Sequence, residues 1–203
     1  MKDSLKIFWP AVAAGLMIAV AGTTYLLMEN KIIGSLLFTV ALYIIMLNGL
    51  YLYTGKVGYL TVQKNKGTYG LILVVTWIGN LAGTALGALA ISATRVEGIA
   101  EKAESIAEVK LSDNILSVFI LAVFCGVLMH GAVDGYRQEK NPLILFLCIS
   151  VFILCGFEHC IANMFYFTLA KAWTIKAVGY LAVMTLGNSV GGLILPVMKL
   201  KTN

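Results

Sequence analysis

Apolar residues in this chain run in long blocks instead of alternating with polar residues. Each block is near or above the roughly 20 residues that an α-helix needs to cross a bilayer. Six blocks follow one another: Ile7–Met28, Ile32–Tyr53, Tyr69–Thr94, Ile115–Val133, Leu143–Phe157 continuing into Ile161–Ala170, and Ile175–Met198. Backbone groups in lipid are satisfied only in helices or closed barrels, and blocks without alternation exclude a barrel. The pattern therefore predicts an all-α polytopic membrane protein with six transmembrane helices.

Composition agrees with this prediction. Hydrophobic residues make up 60% of the chain and charged residues 12%, whereas a soluble domain carries roughly twice that share of charge. The first block is too long for a cleaved signal peptide and leads directly into a second span. The net charge of +5 comes from basic residues at the ends of blocks, so the lipid bilayer is an expected partner and nucleic acid is not.

The basic residues between blocks also predict an orientation. With the N-terminus inside, the inner segments hold eight basic residues: Lys2, Lys6, Lys64, Lys66, Arg137, Lys140, Lys199 and Lys201. The outer segments then hold six: Lys31, Arg95, Lys102, Lys110, Lys171 and Lys176. This bias follows the positive-inside rule. It predicts a multi-pass protein of the plasma or inner membrane with both termini in the cytoplasm.

No long polar linker divides the chain. The longest segment outside the apolar blocks, about Arg95–Asn114, has the spacing of a short surface helix. We therefore expect a single transmembrane channel domain over residues 1–203.

Two stretches of the chain resemble each other. "WIGNLAGTALGAL" (Trp77–Leu89) and "TLGNSVGGLIL" (Thr185–Leu195) both contain G-N-x-x-G, 108 positions apart. Spans one to three therefore repeat as spans four to six, over about 1–95 and 110–203. An odd number of crossings in each half requires opposite insertion, which is typical of transporters and channels. Their glycine spacing favours close helix packing.

Polar breaks interrupt the second and fifth blocks at corresponding positions. They are "YTGKVG" (Tyr53–Gly58) and "FEHCIAN" (Phe157–Asn163). Irregular backbone at membrane depth is tolerated where it is buried in protein or lines a water-filled path. The breaks predict that helices 2 and 5 are broken and that Thr54 and His159 line a polar path.

Four motifs of the chain, in the right order and over nearly its whole length, resemble those of the formate/nitrite transporter family. The most specific is "GFEHCIANMF" (Gly156–Phe165), which is close to the family's G-F-E-H-S-x-A-N-M-F. "TLGNSVGG" (Thr185–Gly192), "GNLAG" (Gly79–Gly83) and "LYTGKV" (Leu52–Val57) resemble its other conserved segments.

The resemblance implies an architecture and a function. The architecture is an aquaporin-like six-helix protomer, assembled as a homopentamer with one pore in each subunit. The cargo is a small monovalent anion, with formate or nitrite favoured and hydrosulfide, acetate or lactate as alternatives. The resemblance gives His159 as the central pore histidine, Thr54 as its partner, Asn188 as a pore asparagine, and Lys110 as a cation that draws anions.

The resemblance also implies apolar constrictions and supporting residues. The constrictions fall on Phe38, Leu42, Leu52 and Phe152. We expect Glu158 to face packed protein and to hold backbone donors at the break, and Asn80, which lies at membrane depth, to need polar partners and to act behind the pore-lining residues. Asn188 is either a tie between helices or a donor that lines the pore, and the sequence leaves both alternatives open.

The chain departs from the family pattern at three positions. In "CGVLMH" (Cys125–His130), Gly126 replaces a pore asparagine and His130 is new, which we interpret as structural. Lys56 stands where asparagine is common, either as a second anion-attracting cation or as a surface lysine. These departures leave the substrate open and do not alter the predicted architecture.

A histidine at the pore centre suggests a mechanism. Lys110 concentrates anions by local potential, unless it is only a cation at a helix end. His159 has an ordinary pKa of about 6.5 and can donate a hydrogen bond or a proton near neutral pH. We hypothesise that the anion gains a proton at His159 and crosses the apolar constrictions as the neutral acid.

Other functions fit the sequence less well. For a zinc site built from His130, His159, Cys155 and Cys160, the chain lacks C-x-x-C and H-x-x-x-H spacing and a surrounding cluster of carboxylates. A neutral-solute pore is the nearer alternative, but the chain lacks the asparagine-proline-alanine boxes of aquaporins. No nucleophile with an adjacent base and no cofactor motif is present, so we predict neither an enzyme nor a bound cofactor.

Overall fold

The computed structural model describes residues 2–202, with side chains described for residues 5–200. This part of the chain is all-helical, which confirms the predicted class. Its α-helices are α1 (Lys2–Leu27), α2 (Lys31–Leu47), α3 (Tyr53–Lys56), α4 (Lys66–Ser92), α5 (Ile99–Ser112), α6 (Ile115–Glu139), α7 (Leu143–Leu154), α8 (Cys160–Leu169) and α9 (Ile175–Thr202). A 3₁₀ helix, Val57–Val62, follows α3. The side chains of Lys2 and Lys201, which entered the predicted orientation, lie outside the described residues.

Four of these helices are long and apolar enough to cross a membrane: α1, α4, α6 and α9. Asparagines between the apolar blocks start three helices, because an asparagine side chain accepts hydrogen bonds from the first backbone N–H groups. Asn30 caps α2, Asn65 caps α4 and Asn114 caps α6, with N···O distances of 2.8–3.2 Å. The polar interruptions in the apolar pattern therefore mark where helices begin.

Glycines allow the long helices to pack in two close pairs. In the pair α1 and α4, a Cβ on Gly15 would lie 2.9 Å from the Cα of Gly83. In the pair α6 and α9, a Cβ on Gly126 would lie 2.9 Å from the backbone nitrogen of Gly192. Small residues at such crossings let the helix backbones approach closely in membranes. The predicted packing role of the glycine motifs is confirmed.

The first predicted break lies five residues earlier than the sequence suggested. Helix α2 ends at Leu47, and Gly49 has a φ of 62° in the irregular segment before α3. Tyr53–Lys56, predicted as irregular, is helical. The physical reason is Asn80, whose side chain accepts the N–H of Tyr53 at 2.9 Å and donates to the carbonyl of Tyr51 at 2.8 Å.

The second irregular segment, residues 155–159, overlaps the predicted break at Phe157–Asn163 only in part, because residues 160–163 are helical. Helix α7 ends at Leu154 and α8 begins at Cys160, with Gly156 at a φ of 69° between them. The side chain of Asn188 accepts the N–H of Cys160 at 2.8 Å and donates to the carbonyl of Glu158 at 2.7 Å. Asn188 thus forms the inter-helix tie, one of its two predicted alternatives.

Asn80 and Asn188 make matching contacts in the two halves of the chain. Each also donates to a backbone carbonyl of the partner long helix, Asn80 to Ala11 and Asn188 to Ala122, both at 2.8 Å. At the start of the two similar motifs, Trp77 Nε1 donates to Thr185 Oγ1 at 3.2 Å.

The predicted surface helix exists as α5, but one of its faces is buried. Ile99, Ala103 and Ala107 are at most 2% exposed, and the helix packs mainly against α8. This packing brings Lys110, in the last turn of α5, beside the segment between α7 and α8.

Candidate functional site

Three cavities follow one another along the two irregular segments. A cavity of about 470 Å³, here called the Lys110 vestibule, is lined by residues that include Lys110, Glu158 and His159. A cavity of about 140 Å³, here called the Lys56 vestibule, is lined by residues that include Lys56 and Arg137. A central cavity of only about 10 Å³ shares lining residues with both vestibules.

The predicted constriction residues surround this central cavity. Phe38 and Phe152 line both it and the Lys110 vestibule, and their rings meet edge to face with centroids 6.4 Å apart. Leu42 and Leu52 line both it and the Lys56 vestibule. All four side chains are at most 3% exposed. Two apolar pairs therefore flank a space about large enough for one water molecule.

His159 and Thr54 meet at the centre, as predicted. Thr54 Oγ1 lies 2.8 Å from His159 Nε2, and both residues are at most 2% exposed. The imidazole stacks on Phe152 with ring centroids 5.6 Å apart and an angle of 19° between the planes. The pair joins α3 to the start of α8, so the two irregular segments are in contact through polar side chains.

The position of His159 selects a tautomer. His159 is the N-cap residue of α8, and the backbone N–H of Ala162 donates to its Nδ1 at 3.1 Å. A neutral imidazole has one donor and one acceptor nitrogen, so Nε2 carries the hydrogen. The ring therefore presents its single N–H donor to Thr54 Oγ1.

Glu158 does not hold backbone donors with its side chain, so that expectation is wrong. Its Oε2 accepts from Lys110 Nζ at 2.6 Å and from Asn163 Nδ2 at 2.7 Å. The side chain of Asn188 occupies the backbone groups at the break, which leaves the carboxylate to face Lys110. The charge of Lys110 is consequently countered by a buried carboxylate.

The Lys56 vestibule contains cations that the sequence analysis did not assign to a site. Lys56 Nζ lies 3.9 Å from the centroid of the Tyr51 ring, and Arg137 and Lys140 line the same cavity. Arg137 and Lys140 contribute to the predicted orientation, but no motif marks them as site residues. They are three residues apart just after the fourth apolar block, which is about one helical turn. That spacing is the signal in the sequence that could have indicated a shared cationic site.

A comparison with families of known proteins gives the arrangement a context. A family model described as "Formate/nitrite transporter" matches residues 1–200. The chain belongs to the formate/nitrite transporter family. The resemblance that its motifs carry is confirmed.

Named relatives within the family are transporters and channels. The nitrite transporter NirC of Salmonella typhimurium is 30% identical over 175 residues, which cover 77% of this chain and 65% of that protein. The formate channel FocA of Escherichia coli is 28% identical over 242 residues, which cover 94% and 84%. The chain thus matches less than two thirds of the length of NirC. The relatives are not enzymes, in agreement with the sequence prediction.

Solved structures of the family share the fold. A pentameric formate channel with formate bound superposes with a TM-score of 0.86 and 26% identity, covering 99% of this chain and 97% of that one. An ion channel of the same family, 24% identical, superposes with a TM-score of 0.80.

Two departures from the family pattern lie away from the three cavities. Gly126 lines none of the three cavities, and a Cβ there would overlap the backbone of Asn188, because α6 and α9 cross at this point. His130 packs edge to face on Tyr59, with centroids 5.6 Å apart. It lines a separate cavity of about 240 Å³, so His130 and His159 belong to different sites.

Proposed function

We propose that this chain forms a transmembrane pore for small monovalent anions of weak acids, with formate or nitrite as the favoured cargo. The proposal includes six crossings, with the second made of α2, α3 and the 3₁₀ helix and the fifth made of α7 and α8. The matching ties of Asn80 and Asn188 support two inverted repeats. The names of the relatives and the pentameric structural neighbour support a homopentamer with one pore in each subunit.

One observation carries this proposal: a buried His159–Thr54 pair lies between two apolar pairs, and a cavity opens beyond each pair. A bare anion between the apolar pairs would lose its hydration, at an effective cost of several kcal/mol. A neutral acid avoids most of that cost. The Nε2–H of His159 and the hydroxyl of Thr54 are the hydrogen-bonding groups available to it at the narrowest point.

The geometry of His159 defines how it would pass a proton. The resting ring carries hydrogen on Nε2, while Nδ1 accepts from Ala162. A second proton binds Nδ1 only after this capping bond opens. The imidazolium then breaks its Nε2–H bond, an O–H bond forms on the anion, and both charges are neutralised. The anion continues as its neutral acid.

The remaining site residues have supporting roles in the proposal. Lys110, paired with Glu158, lies at one mouth, and Lys56 lies at the other. Asn80 and Asn188 hold the irregular segments that carry Thr54 and His159. We further propose an inner-membrane location with both termini in the cytoplasm, which makes the Lys56 vestibule the inner mouth.

The experiment that tests the proposal is flux into proteoliposomes between pH 5 and pH 8. Formate, nitrite, hydrosulfide and acetate are each presented to the native protein, His159→Asn and His159→Ala. Asparagine is a preferred N-cap residue, so His159→Asn keeps the cap on α8 and a donor amide but has no proton to transfer. Alanine removes both functions.

Proton transfer at His159 predicts that native flux rises toward acid pH and that the rise disappears in His159→Asn. If His159→Asn retains the native pH profile, the histidine acts only as a hydrogen-bond donor. Passage of water or ammonia without any of the four anions would contradict an anion pore and identify a neutral-solute pore instead.

A further inference from the structure

The two vestibules carry different charge. In the Lys110 vestibule, Lys110 pairs with Glu158, and Asp113 also lines the cavity, so two acids accompany one lysine. In the Lys56 vestibule, three bases line the cavity, namely Lys56, Arg137 and Lys140, and no carboxylate is among the described residues that line it. The pore is therefore electrostatically asymmetric.

Aromatic rings hold the three cations of the Lys56 vestibule in place. Lys56 Nζ lies 3.9 Å from the centroid of the Tyr51 ring. Arg137 Cζ lies 4.7 Å from the centroid of the Tyr59 ring. Lys140 Nζ lies 6.0 Å from the centroid of the Tyr136 ring. Ring faces stabilise a cation without neutralising it, so the positive charge remains available to a ligand in the cavity.

Two acids lie on the same helix near these cations in sequence, Asp134 and Glu139, and neither lines the Lys56 vestibule. Asp134 accepts from Lys199 Nζ at 2.9 Å and from the hydroxyl of Tyr59 at 3.2 Å, and it lines the separate cavity next to His130. It therefore does not counter the charge of the Lys56 vestibule. An anion from solution is the species that would do so.

We propose that the Lys56 vestibule binds small dianionic oxyanions, such as sulfate or hydrogen phosphate, and that a bound dianion plugs the pore from this mouth. Two negative charges attract three cations more strongly than the single charge of formate does. Beyond the site, the path narrows to the cavity of about 10 Å³ behind Leu42 and Leu52. One proton does not neutralise a dianion, so the bound ion stays where it is.

Binding is tested first, without transport, by calorimetric titration of the purified full-length protein with sulfate. A hydrogen bond to a charged group contributes about 1.5–3 kcal/mol, so Lys56→Asn and Arg137→Gln are each expected to weaken sulfate binding by about tenfold or more. Lys64→Asn is the matched control, since Lys64 is exposed and lies outside the cavity. Equal affinity in the native protein, Lys56→Asn and Arg137→Gln would overturn the proposal.

The plugging step rests on the proposed function and is tested by formate flux into phosphatidylcholine vesicles. The orientation of the protein is read from protease accessibility of a C-terminal tag. Sulfate is expected to inhibit flux only from the face that carries the Lys56 vestibule, and Lys56→Asn is expected to relieve the inhibition. Equal inhibition from both faces would overturn the plug. If the native protein passes none of formate, nitrite, hydrosulfide and acetate, the proposed function fails, while the calorimetry still decides the binding site.

A lipid headgroup also presents anionic phosphate oxygens, although a phosphodiester carries one negative charge and the free ion carries two. Calorimetry in detergent without lipid, repeated with phosphatidylglycerol added, separates the two sources. Sulfate binding without lipid supports the proposal. A response to phosphatidylglycerol together with none to sulfate overturns it.

Discussion

Replacing Asn188 by leucine tests the contact that holds the irregular segment before α8. Leucine has a similar size, so the change removes hydrogen bonds with little change in packed volume. The Asn188 side chain makes three of them, to the N–H of Cys160 and the carbonyls of Ala122 and Glu158, at 2.7–2.8 Å. The residue is fully buried, so the variant leaves three backbone groups without their partner.

The expected loss of stability follows from that count. Hydrogen bonds between side chains in membrane proteins average about 0.6 kcal/mol each, so three are worth about 2 kcal/mol. This value is a lower bound, because each buried backbone group left unsatisfied costs about 1–3 kcal/mol. We expect Asn188→Leu to lower the free energy of unfolding by at least about 2 kcal/mol. If the two halves are built as repeats, Asn80→Leu has an effect of similar size.

The assay is equilibrium unfolding of the detergent-purified protein in increasing denaturant. The helix content of the protein is the signal that reports unfolding. Asn48→Leu is the control, because its side chain makes one exposed hydrogen bond to Ile44 and its loss is expected to change stability by less than about 0.5 kcal/mol. A loss in Asn188→Leu no larger than that in Asn48→Leu would refute the reasoning. A loss in Asn188→Leu with none in Asn80→Leu would contradict the repeat.

Two further variants test packing and charge. Gly126→Ala places a methyl group against the α9 backbone and is expected to reduce the yield of folded protein. Gly131 lies on the same helix, and a Cβ there would meet nothing within 4 Å. Gly131→Ala is therefore expected to leave the yield unchanged or raise it. Glu158→Gln leaves the ammonium of Lys110 without its carboxylate, and we expect a lower melting temperature. Adding Lys110→Met to Glu158→Gln is expected to recover part of that loss, and no recovery would contradict the pairing.

Long motifs and block lengths were sufficient to predict the centre of the molecule. The all-helical class follows from apolar blocks of helical length, and the pairing of Thr54 with His159 is what the resemblance to the family implies. Phe38 and Leu42 were placed by counting back from the breaks and do line the central cavity. These features depend on local sequence or on fixed spacing.

Features that depend on long-range side-chain contacts could not be predicted in the same way. The end of α2 at Leu47 is set together with Asn80, a residue of another helix. Gly126 was assigned to the pore by its place in a motif, although it lies at the point where two helices cross. The partner of Glu158 is Lys110, 48 residues earlier, and no local pattern indicates that pairing.

The difference between centre and mouths bears on where substrate preference arises. The residues at the centre lie in motifs shared with the family or at fixed distances from them in the sequence. They would treat any small weak acid alike, because a donor and two apolar pairs recognise little beyond the size of the acid and its ability to be protonated. Lys56 replaces the family's common asparagine and joins Arg137 and Lys140, whereas Lys110 is countered by Glu158. In the proposed pore, anions of different charge and hydration would therefore meet different potentials at the two mouths before they reach His159. Of the three departures of this chain from the family pattern, Lys56 is the one that lines a vestibule, whereas Gly126 and His130 lie elsewhere, so a substrate preference specific to this chain would arise at that mouth, before any proton transfer.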